Sequence, residues 1–277
     1  MILGGNGFIG RHLARALTDR GDAVSVGSLR DPARAAALSA GHDAVVNLAG
    51  ASVSERWTAA QKAAIADSRI DAPRAYLAAL AEIDARPSTY ISASAIGYYG
   101  TSPSAVFVES SPPGSDFLAG VCVAWEREAQ HAASLGMRVA TIRTGLVLGR
   151  DGGALAKLLP LFRLGLGGPI GSGAQWYSWI HIDDLVGIYL LALDGASGAL
   201  NGTAPAPVTN RAFTKALGDA VHRPALFPVP AFAIGALLGE GAVVVVEGQR
   251  VLPEATLERG YRFLFPALEP ALAELVS

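Results

Sequence analysis

Residues 4 to 10 read Gly4-Gly5-Asn6-Gly7-Phe8-Ile9-Gly10, directly after the apolar stub Met1-Ile2-Leu3. Two glycine templates fit at once: Gly5, Gly7 and Gly10 give G-x-G-x-x-G, and Gly4, Gly7 and Gly10 give the looser G-x-x-G-x-x-G. Either uses one glycine for a tight strand-to-helix turn, one to let the backbone approach a pyrophosphate and one for close helix–strand packing. Phosphates then sit on a helix N-terminus, where unpaired N–H groups and the dipole favour anions. Ile9, Leu13 and Leu17 fall at helical spacing over Phe8–Arg20, and Gly21 stands where a left-handed residue would end that helix. A strand over Ala23–Ser28 follows. Gly4, Asn6, Gly7, Phe8, Ile9 and Gly10 are therefore the candidate dinucleotide cradle. Only three residues precede Gly4, so the first strand is short and there is room for a start upstream of residue 1.

The 277 residues suffice for one large domain or two closely joined lobes, and 51% of them are hydrophobic. The longest apolar stretch, Leu185–Leu193, is too short to span a bilayer. No basic start followed by an apolar core is visible, so no secretory signal is expected and a cytoplasmic location is. The net charge of −2, with acids and bases interspersed, gives no footprint for nucleic acid or an anionic membrane. A phosphate-bearing small molecule is the expected partner. The single cysteine, Cys122, excludes an internal disulfide and a thiolate metal cage, and the five histidines lack ligand spacing, so no metal site is expected.

Short β-rich runs alternate with helical patterns through the first two-thirds of the chain, which predicts an α/β fold: a Rossmann-type doubly wound parallel sheet. Further strands are expected at Ala44–Leu48, Thr89–Ser92, Arg138–Ile142 and Trp179–Ile182. Helices are expected over roughly Ala59–Ile83, kinked or divided at Pro73, over Phe117–Leu135 and from Asp183, which reads as its N-cap. Residues 149 to 175 are glycine-rich and read as a mobile segment over a cleft. The tail from Ala204 is proline-punctuated and reads as a smaller C-terminal α+β substrate lobe. Residues 1–150 and 176–203 are thus assigned to the NADP-binding core, and 151–175 and 204–277 to the cap.

An acidic residue about 20 positions past the glycines suits the ribose of NAD, whereas a nearby arginine suits the extra phosphate of NADP. The second strand ends in Ser28-Leu29-Arg30, with serine where the acid would stand and Arg30 able to offer a planar fork. NADP is favoured over NAD. Asp31 is the alternative ribose contact, and Arg30 could equally be a solvated surface charge. Leu48, Ala49 and Gly50 end a strand with small residues whose backbone could pass close to a ribose, or simply form a tight turn.

Together these segments resemble the extended short-chain dehydrogenase/reductase superfamily. Arg56-Trp57-Thr58, Asp67-Ser68-Arg69, Ser92-Ala93-Ser94-Ala95-Ile96-Gly97-Tyr98-Tyr99-Gly100, Trp179-Ile180-His181-Ile182-Asp183-Asp184 and Gly248-Gln249-Arg250-Val251-Leu252-Pro253 extend the match to its atypical subgroup of NAD(P)-dependent or nucleotide-sugar epimerases. That resemblance implies an NADP-dependent epimerase or oxidoreductase acting by hydride transfer on a nucleotide-sugar or other polar hydroxy/keto compound, and a homodimer through paired helices. The wider superfamily uses a Tyr-x-x-x-Lys pair, in which lysine lowers the tyrosine pKa while tyrosine moves a proton. None of the three lysines here follows a tyrosine by four residues. Alignment on Trp125-Glu126 puts Leu118 and Cys122 at the two positions. The rival reading is an NADP(H)-binding sensor or interaction protein that has lost turnover.

Ser94 matches the superfamily serine that hydrogen-bonds a substrate hydroxyl or carbonyl. Tyr98 and Tyr99 are the nearest phenols that could replace the missing tyrosine, or an aromatic pair packed under a loop, with Arg143 and Arg69 as electrostatic partners. Arg56 and Trp57 could face the cleft as an anion fork and a stacking surface, and Trp176 could stack on a base or sugar ring. His181 could act as an acid or base near neutral pH, or hold the start of the next helix.

Overall fold

In a computed structural model that describes all 277 residues, β1 (Ile2–Leu3) leads through the glycine turn into α1 (Phe8–Arg20). Then follow β2 (Val26–Gly27), α2 (Pro32–Ser39), β3 (Ala44–Asn47), α3 (Ala59–Asp67), α4 (Asp71–Ala81) and β4 (Thr89–Ala95). A 3-10 turn over Ile96–Tyr99 and β5 (Val106–Phe107) precede α5 (Phe117–Ser134) and β6 (Arg138–Thr144). Next come β7 (Leu146–Gly149), α6 (Gly153–Arg163), β8 (Trp176–Tyr177), β9 (Trp179–His181), α7 (Ile182–Leu193) and β10 (Gly198–Gly202). The remainder holds β11 (Val208–Thr209), α8 (Asn210–Ala220), α9 (Ala231–Leu238), α10 (Val243–Val246), β12 (Arg250–Val251), α11 (Glu254–Glu258) and α12 (Leu268–Val276).

Six strands form one parallel sheet in the order β2-β1-β3-β4-β6-β10. Successive residues of its strands serve opposite faces. Ile2, Val46 and Ile91 pack under α1 and α7 with Leu13, Leu17, Leu185 and Tyr189. Leu3, Val45 and Tyr90 pack under α2, α4 and α5 with Ala36, Tyr76, Leu80 and Ala129. A strand covered on both faces needs a continuous apolar run, which explains Ala44-Val45-Val46 and Thr89-Tyr90-Ile91. A third cluster joins α6, α8 and α12 to Leu148 and Trp179. The strand order reverses at β1: β2 lies on one side of it and β3 on the other. A ligand crevice opens at such a point, outside the carboxyl ends of the strands.

Several sequence expectations are corrected. The second strand is Val26–Gly27 only, and Asp31 caps α2 by accepting the Arg34 N–H at 3.0 Å. The middle helix divides at Ser68–Ile70, and Pro73 sits in the first turn of α4, where a missing N–H costs nothing. Trp179–His181 pairs with β7 outside the main sheet, whose last strand is instead β10. Its Gly-Ala-Leu-Asn-Gly lacks the β-branched residues that mark a strand. His181, not Asp183, caps α7: its Nδ1 accepts the Asp183 N–H at 3.1 Å. Within the segment 149 to 175, Gly153–Arg163 is a helix with Leu155, Leu159 and Phe162 buried, and a Cβ at Gly168 would lie 1.7 Å from the Phe227 carbonyl oxygen. Those glycines serve close packing as well as turning.

Candidate active site

The turn after β1 settles which glycine template operates. Gly4 has φ +80°, and a Cβ there would lie 2.9 Å from the Ala49 nitrogen. Gly7 is the N-cap of α1 and offers no side chain to its first amides. A Cβ at Gly10 would meet the Gly4 oxygen and Gly5 Cα at 2.6 Å. Gly4, Gly7 and Gly10 thus carry the turn, the open helix end and the close packing. Gly5 is needed only against the Val26 side chain. The uncapped amides at Phe8 and Ile9 suit a diphosphate. The Phe8 ring itself packs over Gly149 and Gly152, so only its backbone faces that role. Asn6 is exposed at the loop tip.

At the end of β2, Ser28 Oγ accepts the Arg30 N–H at 3.3 Å, and both residues are exposed. The Arg30 guanidinium pairs with no protein group, whereas Asp31 is occupied as a helix cap. That arrangement fits a ligand phosphate better than a ribose diol. Across the switch point, buried Asn47 holds the Leu48-Ala49-Gly50 turn. Its Oδ1 accepts the Ala49 N–H at 3.1 Å while its Nδ2 donates to Tyr90 OH at 3.0 Å.

The register of the sheet aligns Ser94 of β4 with Arg143 of β6, and Arg143 with Asn201 of β10. Glu126 from α5 closes over this row. It accepts Ser94 Oγ–H at 2.7 Å and both Nε and Nη2 of Arg143 at 2.8 Å. Arg143 Nη1 donates to Tyr99 OH and to the Glu109 carbonyl, each at 3.0 Å, and Tyr99 OH donates to Asn201 Oδ1 at 2.7 Å. Glu109 Oε1 accepts the Asn201 N–H at 2.9 Å. Burial alone would lower the Arg143 pKa, but the Glu126 carboxylate outweighs it and raises it. Burial pushes the Tyr99 phenol up to about 12 against the pull of Arg143. Tyr98 lies flat against the same guanidinium, 3.5 Å from Arg143 Cζ to the ring centroid, and its hydroxyl has no protein partner.

Sequence reading therefore grouped Ser94, Tyr98, Tyr99 and Arg143 correctly in space but missed Glu126, Glu109 and Asn201. A carboxylate four residues beyond Cys122, on one helix face with it, was the available signal. Burial raises the Cys122 thiol to about 12, which leaves it a small core group.

The other candidates lie elsewhere. Trp57 is buried, packs edge-on to Phe117 at 5.3 Å and donates its indole N–H to the Val53 carbonyl, so it is a core residue rather than a stacking surface. Arg56 is exposed and donates to the Ala236 carbonyl at 2.6 Å, tying the loop to α9. Trp176 lies under Arg250, 4.8 Å from centroid to guanidinium. His181 is 1% exposed, stacks on Phe265 and spends its second ring nitrogen on Glu274 at 3.1 Å. Its pocket also contains His12, Asp151 and Tyr261, on the outer side of α1 and α7, apart from the Ser94 row. No group of three or more His, Cys, Asp or Glu is placed to hold a metal.

A sheet of this topology, a glycine turn at its switch point and a serine at the end of β4 define a dinucleotide-binding protein of the extended short-chain dehydrogenase/reductase type. Residues 1–203 match the NAD dependent epimerase/dehydratase family, and residues 229–275 match a domain of unknown function (DUF1731). The chain belongs to that epimerase/dehydratase family. It is 43% identical over 300 residues to the epimerase family protein SDR39U1 homolog, chloroplastic, of Arabidopsis thaliana, covering 100% of this chain and 86% of that one. It is 38% identical to the epimerase family protein YfhF of Bacillus subtilis, covering 100% and 97%. The crystal structure of human epimerase family protein SDR39U1 (isoform2) with NADPH superposes with a TM-score of 0.90 at 35% identity, covering 99% of this chain and 97% of that one. No helix here is long and apolar enough to cross a membrane.

Proposed function

We propose that the protein is an NADP-dependent epimerase or reductase acting on a nucleotide-linked sugar or another polar hydroxy/keto compound. One observation carries the proposal: the Ser94 hydroxyl, at the carboxyl end of β4, is hydrogen-bonded to a carboxylate that Arg143 holds rigid. The relative crystallised with NADPH and the unpaired Arg30 support NADP as the cofactor. When bound, the nicotinamide accepts or returns a hydride at the substrate carbon. The chain supplies the rest. The amides of Phe8 and Ile9 hold the diphosphate, and Arg30 holds the extra phosphate. Ser94 accepts the substrate hydroxyl proton while donating its own to Glu126, so the pair replaces the absent Tyr-x-x-x-Lys. Tyr98 presents its free hydroxyl beside this row, and Tyr99 fixes Arg143. The cluster built on α6, α8 and α12 belongs to the smaller lobe, to which the substrate is assigned.

The test is hydride transfer from 4-deuterated NADPH to a panel of nucleotide-sugars and ketones, read by mass spectrometry. S94A and E126Q are expected to lower transfer by about 100-fold or more, the ordinary worth of general acid–base catalysis, with Y98F and Y99F following. Transfer that ignores all four variants sinks the assignment. The apolar Leu118 and buried Cys122 favour a second reading, an NADP(H)-binding protein without turnover. It predicts tight binding and no transfer to any member of the panel.

A further inference from the structure

Arg69 lies in the break between α3 and α4, and its charge, like that of the exposed Arg30, meets no carboxylate of the protein. Its guanidinium sits over the Trp125 ring, 5.0 Å from the centroid. Nη1 donates to the carbonyls of Ala51 at 3.0 Å and Ile65 at 3.3 Å and to Ser68 Oγ at 3.5 Å. All three acceptors are neutral and all are taken by one nitrogen. Nε and Nη2 make no hydrogen bond within the chain, and no carboxylate pairs with the group. Burial lowers its pKa. A half-buried cation in this state costs free energy unless a ligand supplies acceptors.

Gly50 shows where that ligand would lie. This glycine is exposed at the carboxyl end of β3, and a Cβ there would stand 3.0 Å from both Cζ and Nη2 of Arg69. The guanidinium, with Nε and Nη2 free, therefore lies against a position kept without a side chain, beside the switch-point crevice. The sheet order fixes which part of the crevice this is. Arg30 follows β2, on one side of the glycine turn, whereas Gly50 follows β3 on the other. The Cys122 Sγ stands 3.9 Å from the Cβ position of Gly97, just past β4.

We propose that Arg69 is a cofactor-binding cation whose free edge donates to the ribose hydroxyls of the nicotinamide half of NADP(H). This rests on the NADP reading above. It gives the ribose a cation from the α3–α4 link, seated over Trp125 of α5.

The experiment is a calorimetric titration of wild type, R69Q and R69K with two probes, NADPH and 2′,5′-ADP, the latter lacking the nicotinamide riboside. R69Q should weaken NADPH by about tenfold, the worth of a charge-assisted hydrogen bond. Its affinity for 2′,5′-ADP should stay within about twofold of wild type, which also shows that the variant is folded. R69K should recover part of the loss. Equal weakening of both probes, or unchanged NADPH affinity, overturns the proposal. Wild-type protein that binds neither probe overturns the NADP reading itself and this inference with it.

Discussion

Single side chains at this site are defined by what they lack as much as by what they touch. Arg30 lacks a protein partner while Asp31 next to it is committed to the Arg34 N–H. R30A should therefore reduce a preference for NADPH over NADH by at least about tenfold, 1.4 kcal/mol, in parallel fluorescence titrations. An unchanged preference would return Arg30 to the surface. Glu126 is the opposite case, a carboxylate with three hydrogen bonds, and its partner Arg143 has a side chain only 5% exposed. Removing it strands a buried cation, so E126A should cost about 3 kcal/mol of stability in urea denaturation, and E126Q less. The glycine cradle was legible because three glycines at fixed spacing act through their own backbone. Glu126 was harder to read, since its one signal, the helical spacing from Cys122, says which face it shares and not that a buried arginine lies opposite.

At the scale of elements, local rules placed α1 and α5 almost to the residue. Gly21 ends α1 with φ +94°, and Asp116 caps α5 by accepting the Ala119 N–H at 2.9 Å. D116A should destabilise the protein by about 1 kcal/mol in urea denaturation while leaving NADPH affinity unchanged, since the cap touches no crevice residue. A change in affinity would show that α5 moves when its first turn loosens. Sequence erred where pairing partners decide. Trp179–His181 has the composition of a core strand but pairs with β7, and Gly198–Gly202 has the composition of a loop but completes the sheet. Both outcomes depend on contacts with residues 30 to 60 positions away, beyond any window of local periodicity.

The molecule as a whole buries most of its phenols. Burial raises the pKa of Tyr76, Tyr99 and Tyr177 to about 12, and also raises those of Tyr90, Tyr189 and Tyr261. In the unfolded chain these groups ionise near pH 10. Raised folded-state values mean that the stability they contribute is complete below pH 10 and is lost as pH climbs toward 12. The urea midpoint should fall steeply over that interval, with tyrosinate absorbance appearing together with unfolding. Free ionisation of most phenols in a still-folded protein would contradict the burial.

The sequence by itself determined the doubly wound core, the glycine turn and the absence of the Tyr-x-x-x-Lys pair. Each of these is a matter of residue type at short spacing. Tertiary structure alone decided that Ser94, Arg143 and Asn201 form one row. It also brought Glu126 over that row, set Arg69 against Gly50, and sent Trp57 and His181 into packing. The Ser94–Glu126 and Tyr99–Asn201 bonds span 32 and 102 residues. Contacts of that length are fixed by strand register and by how α5 sits on the sheet, and neither leaves a period in the chain.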